Sequence, residues 1–173
     1  ILSSGLHSPL YLQGARVLMD PARASRLAGA LAATIPAGLR AAIELVVSPA
    51  MGGVIIGHEM GRALGCEALF VERPAGRFEL RRGFRIAPGQ KVLLVEDVVT
   101  TGLSSREAMQ AVADAGGEVI AAAALVDRSD GGADLGLPFF PLIRLAVPAY
   151  PADALPAALA ALPAEKPGSR KAA

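Results

Sequence analysis

Residues 92–102 read Val92-Leu93-Leu94-Val95-Glu96-Asp97-Val98-Val99-Thr100-Thr101-Gly102: an apolar run, two adjacent carboxylates, then a hydroxyl-rich turn closed by glycine. A continuous apolar run suits a strand buried on both faces, so we expect a strand over residues 91–95 that delivers Glu96 and Asp97 to its carboxyl end. In open α/β sheets that end is where ligands bind. The Thr100-Thr101-Gly102 turn sets backbone N–H groups and hydroxyls at the start of a helix, an arrangement suited to a phosphate monoester. Gly102 permits close backbone approach and unusual φ angles. Glu96 and Asp97 fall about one sugar away from such a phosphate, placed to accept hydrogen bonds from ribose hydroxyls.

Outward from this stretch, apolar runs rich in Val, Ile and Leu alternate with Ala-rich helical stretches, the pattern of an α/β domain with a mostly parallel sheet. Asp20-Pro21 reads as an N-cap followed by proline at the first helical position and opens a helix to about Thr34. A strand over residues 44–47 leads to a turn at residues 49–53. A helix over 54–64 stops at Gly65, and a strand follows over 66–71. Residues 72–85 carry Arg73, Arg77, Arg81, Arg82 and Arg85 with little periodicity, and read as an exposed loop or twisted hairpin. Ser104 and Glu107 have capping-box spacing for a helix ending at Gly116-Gly117. A strand over 119–126, a polar loop over 127–136, an edge strand over 139–147 interrupted by Pro141 and a short helix over 152–162 complete the pattern, with residues 163–173 expected as a disordered tail.

Composition narrows the function. The 173 residues suffice for one domain with a real core, expected over residues 1–162. A net charge of +1 argues against a nucleic-acid partner or a polybasic membrane clamp, and no apolar run is long enough for a membrane span. The single Cys66 excludes an internal disulfide or cysteine zinc cluster and fits a reducing cytoplasm. Residues 1–5 lack the charged and apolar regions of a signal peptide. His7 and His58 form no evident metal pair. Neither a Walker motif nor a G-x-G-x-x-G fingerprint competes with residues 92–102.

The run from Val92 to Gly102 resembles the phosphoribosyl pyrophosphate (PRPP) motif of the type I phosphoribosyltransferases. Three further segments resemble the orotate branch of that family. Leu2-Ser3-Ser4-Gly5-Leu6-His7-Ser8-Pro9-Leu10-Tyr11 is similar to its amino-terminal hood segment, which implies that residues 1–15 form part of a hood and that Ser3 and Tyr11 lie near the base. Ser48-Pro49-Ala50-Met51-Gly52-Gly53 is similar to its pyrophosphate loop, although several relatives carry Lys at the position of Gly52. Leu125-Val126-Asp127-Arg128 resembles the segment whose Arg meets the orotate carboxylate, a contact a guanidinium fork makes well.

The resemblance implies a type I phosphoribosyltransferase fold with a small hood, and transfer of phosphoribosyl from PRPP to orotate to give orotidine 5′-monophosphate in pyrimidine biosynthesis. It implies that Arg73, Glu96 and Asp97 are catalytic. PRPP would be bound by Met51, Gly52, Gly53, Arg73, Glu96, Asp97, Val98, Val99, Thr100, Thr101, Gly102, Leu103 and Ser104, with Arg77 a weaker candidate. Orotate would be bound by Ser3, Tyr11, Thr100 and Arg128. It further implies a homodimer, and Mg²⁺ carried by PRPP with no direct protein ligand. The alternatives are a purine or uracil phosphoribosyltransferase and a non-catalytic PRPP-sensing regulator. Arg128 argues against purines, which bear no carboxylate.

Overall fold

Val46, Leu93 and Val95 face one side of a sheet while Leu45, Val47, Val92 and Leu94 face the other, and all are buried. This period-two alternation within a continuous apolar run marks strands covered on both faces. The computed structural model describes residues 1, 5–129 and 131–165. They fall into two compact units, Gly14–Leu145 and the paired segments Ile1–Gln13 and Ala146–Ala173.

The larger unit runs α1 (Gly14–Leu18), α2 (Pro21–Thr34), α3 (Ala37–Ala41), β1 (Leu45–Pro49), α4 (Gly53–Leu64), β2 (Glu67–Glu72), β3 (Glu79–Leu80), β4 (Lys91–Val99), α5 (Leu103–Asp114), β5 (Glu118–Asp127) and β6 (Phe139–Arg144). The strand order is β3-β2-β1-β4-β5-β6. All pairings are parallel except that of β2 with the two-residue β3, which closes the basic segment as a hairpin. Leu18, Ala24, Ala28, Leu31, Ile56 and Met60 from α1, α2 and α4 cover one face. Ala108, Ala111 and Val112 from α5 cover the other, with Phe78, Ile86 and Leu135 beside them. From β1 the chain winds outward to β2, and from β4 it winds the opposite way to β5 and β6. The loops after β1 and β4 therefore part at a topological switch point, the crevice where open α/β sheets bind ligands.

Local chemistry sets most boundaries. The Asp20 carboxylate accepts from the Arg23 N–H at 3.1 Å, and Pro21 opens α2. Gly65, at φ 72°, closes α4. Two expectations need correction. The strand carrying the two acids extends to Val99, because β5 continues to pair with it through Val98–Val126 and Val99–Asp127. Ser104 and Glu107 form no capping box: α5 starts from Gly102 in the left-handed conformation with no side-chain cap, and the Glu107 carboxylate instead pairs with Arg73.

In the smaller unit, His7 and Tyr150 exchange backbone hydrogen bonds of 2.9 and 2.8 Å, so a carboxyl-terminal segment pairs with the amino-terminal one. A single turn, α6 (Ala157–Ala160), lies in the same unit. Most of the expected tail, from residue 166 onward, lies outside the described residues.

Candidate active site at the switch point

The alternation that buries β4 also separates its two acids. Glu96 follows Val92 and Leu94 onto the α5 face, whereas Asp97 follows Leu93 and Val95 onto the face of α1 and α4. Glu96 is 7% exposed and accepts a 2.7 Å hydrogen bond from the Ser105 hydroxyl. Burial pushes its carboxyl up to about 7, with the Ser105 hydrogen bond opposing, Asp97 adding to the rise and the Arg73 charge opposing. Asp97 is also raised by burial, offset by the Val98 N–H that donates to its Oδ1 at 2.9 Å.

Asp97 faces two glycines. A Cβ on Gly52 would stand 2.7 Å from Asp97 Oδ2, and a Cβ on Gly14 would stand 2.5 Å from the same oxygen. No side chain fits at either position without moving the carboxylate. The loop after β1, whose Ala50–Met51 peptide is cis, thus lies directly against the acid at the end of β4. Met51 is exposed, and Gly53 is buried at the start of α4.

On the α5 face, Val98 and Val99 end the strand and the exposed Thr100 and Thr101 turn the chain. Gly102 at φ 72° then begins the helix, with Leu103 and Ser104 exposed in its first turn. The unpaired N–H groups at such a helix start can surround an anion. Arg73 continues the alternation of Leu69 and Val71 onto this face, pairs with Glu107, and lies over the Phe78 ring at 4.2 Å. Arg77 is exposed, 3.8 Å from Glu79. Arg128 starts the loop after β5, half-buried, and its N–H donates to Val99 O at 2.8 Å. Burial lowers its guanidinium from the usual value, as expected for a cation held out of bulk water.

The structure therefore brings the β1 loop, the two acids, the phosphate-type loop, Arg73 and Arg128 to one end of the sheet. Ser3 lies outside the described residues, and Tyr11 is exposed within the smaller unit. Three neighbours of the site were not expected from sequence: Gly14 against Asp97, Ser105 on Glu96 and Glu107 on Arg73. Ser105 alone carried a local signal, being nine residues after Glu96 and facing inward on α5.

The chain is a phosphoribosyltransferase by family: residues 16–135, which hold the strands on both sides of the switch point, match the phosphoribosyl transferase domain. Over 172 residues the chain is 73% identical to the orotate phosphoribosyltransferase of Rhizorhabdus wittichii, covering 99% of this chain and 88% of that protein. The orotate phosphoribosyltransferase of Aeropyrum pernix superposes with a TM-score of 0.69 at 25% identity, covering 84% of each chain. That of Mycobacterium tuberculosis in complex with PRPP does so with a TM-score of 0.58 at 29% identity, covering 79% of this chain and 82% of that one. The chain belongs to the orotate phosphoribosyltransferase family.

Proposed function

We propose that the chain transfers the 5-phosphoribosyl group of PRPP to N1 of orotate, giving orotidine 5′-monophosphate and pyrophosphate. The observation that carries this reading is the close approach of Gly52 to the Asp97 carboxylate, where a Cβ would stand 2.7 Å from Oδ2. It sets a loop suited to a diphosphate beside an acid suited to ribose hydroxyls.

In this reading the 5′-phosphate sits on the N–H groups and hydroxyls of residues 100–104, next to the strand end at Val98 and Val99. Asp97 holds the ribose hydroxyls, and Glu96 helps from the opposite face of the strand. As the C1–O bond to diphosphate breaks, positive charge grows on the sugar and negative charge on the leaving group. The N1–C1 bond forms and the N1 proton passes to solvent. Catalysis then consists of positioning and electrostatics rather than covalent attack. Met51, Gly52 and Gly53 supply backbone contacts to the diphosphate. Arg73 exchanges Glu107 for it, a competition within reach of a surface ion pair. Arg128 meets the orotate carboxylate through a bidentate fork, with Thr100 beside it.

The donor set also suits Mg²⁺. Glu96 and Asp97 offer hard oxygens, the donor type that Mg²⁺ takes. An ion arriving on the diphosphate, with these carboxylates nearby, matches that donor set. When bound, Mg²⁺ neutralises charge on the leaving diphosphate. Residues 1–15 as a hood with Ser3 and Tyr11 near the base, a homodimer and a cytoplasmic setting complete the proposal. Among the described residues, no helix is long and apolar enough to cross a membrane.

The test is orotate loss followed by absorbance, with PRPP and Mg²⁺, beside adenine, hypoxanthine and uracil. Consumption of orotate alone, abolished by chelation, is the expected outcome. Turnover of another base would overturn the role of Arg128, and donor binding without turnover of any base would favour a PRPP sensor.

A further inference from the structure

We propose that Arg106 is a positioning residue that couples the phosphate loop to the loop following Arg128, so that donor phosphate and base carboxylate bind cooperatively. The inference rests on the site reading above, and deepens it.

Arg106 lies in the first turn of α5, its N–H bonded to Gly102 O at 2.9 Å. A cation there opposes the helix dipole. Helix stability therefore does not account for it. Its Nη1 donates to two backbone carbonyls, Thr101 O at 3.3 Å and Asp134 O at 2.8 Å. Thr101 belongs to the phosphate loop, and Asp134 to the segment downstream of Arg128. A second contact joins the same two loops: a Cβ on Gly102 would stand 2.6 Å from Leu135 Cδ2 and 3.0 Å from Arg106 Nη1. Leu135 is buried beside α5, so the downstream segment is anchored where it crosses Gly102.

The loop is tied at its other end as well. The Arg128 N–H donates to Val99 O at 2.8 Å, and the Ala133 N–H donates to the Ser129 hydroxyl at 2.9 Å. The segment that carries Arg128 is thus fastened to the phosphate loop before Thr100 and again after Thr101. An anion that orders residues 100–104 orders Arg128 through the same bonds. By linkage, orotate then orders the phosphate loop to the same extent.

The experiment measures orotate affinity by calorimetry with and without saturating ribose 5-phosphate, in the wild type, Arg106→Ala and Arg106→Lys. Hydrogen exchange of residues 131–136 is followed in parallel. In the wild type, ribose 5-phosphate should tighten orotate roughly five-fold or more and slow exchange in residues 131–136. In Arg106→Ala the tightening should fall at least two-fold toward one, the ties at Leu135 and Val99 remaining, with orotate affinity in the absence of ribose 5-phosphate retained. Arg106→Lys should recover only part of it, since an ammonium lacks the planar fork. Unchanged tightening in the alanine variant would overturn the coupling. So would an equal loss of orotate affinity under both conditions, which marks a merely structural role. A wild type that binds no ribose 5-phosphate would overturn the donor-site reading itself, and with it the coupling, before any variant is compared.

Discussion

The two faces of the sheet finish differently at the end of β4. On the α5 face, Glu96 is sealed against the Ser105 hydroxyl and shifted to about 7, with the Arg73 charge near enough to oppose that shift. On the opposite face, Asp97 looks into a slot walled by backbone, where Gly14 and Gly52 leave no room for a Cβ. Adjacent residues of one strand thus meet different demands, because a strand alternates its side chains. One acid is held by a fixed hydroxyl within the protein. The other meets the backbone of Gly14 and Gly52 and no side-chain hydroxyl. Under the proposed function, the direct ribose contact falls mainly to Asp97, and Glu96 has a proton-sensitive supporting part.

Breaking the comparison on the Asp97 side should have the largest effect. Asp97→Asn keeps the shape of the slot and removes the charge that faces the developing sugar cation. Steady-state turnover should fall by about 10²–10³, with thermal stability retained. Near-normal turnover would remove Asp97 from the ribose. Next in size is Arg73, on the α5 face. Arg73→Ala should reduce kcat/KM by roughly 10², chiefly through the diphosphate, so pyrophosphate inhibition should weaken in proportion. A variant that keeps its affinity for pyrophosphate would show that the ion pair with Glu107 is the whole of Arg73's role.

Gly14 sharpens the contrast between the faces. Gly14→Ala places a methyl group on Asp97 Oδ2, and the carboxylate must turn or α1 must shift. A displacement of this kind at a reacting group should lower kcat/KM for PRPP by about ten-fold. Affinity for orotate alone should change little. Equal losses toward both substrates would mean that the substitution disturbs the fold rather than Asp97.

The order of these effects follows what was legible in the chain. The apolar run 92–95, the two acids and the Thr100-Thr101-Gly102 turn lie within one short stretch, so the strand, the turn into α5 and the place of the acids at the strand's carboxyl end can be read from local pattern. Asp20-Pro21 and Gly65 likewise announce the ends of their helices by chemistry confined to a turn. Gly14 carries no such mark. Its importance comes from Asp97, 83 positions further along the chain, and appears only when α1 packs on the sheet. Glu107 misled for the same reason: its spacing from Ser104 suits a capping box, but Arg73, 34 residues away, offers a charge that the local N–H does not. The strand was read short because carboxylates disfavour strands locally, while pairing with β5 carries it on to Val99.

The smallest effect isolates the α5 face, and it concerns stability rather than rate. The Glu96 carboxyl ordinarily titrates near 4.5 and in the folded protein near 7. Between those values the folded chain holds a proton that the unfolded chain has released. Stability therefore falls as pH rises through this window, and the loss is complete above about 7. Glu96→Gln removes the titration and keeps an oxygen for the Ser105 hydroxyl. Below pH 4.5 the variant and the wild type should unfold at nearly the same denaturant midpoint. Above pH 7 the substrate-free variant should be the more stable, by up to about 3 kcal/mol. An offset that is the same at every pH would show that Glu96 carries no shifted proton, and the distinction between the two faces would then rest on Asp97 alone.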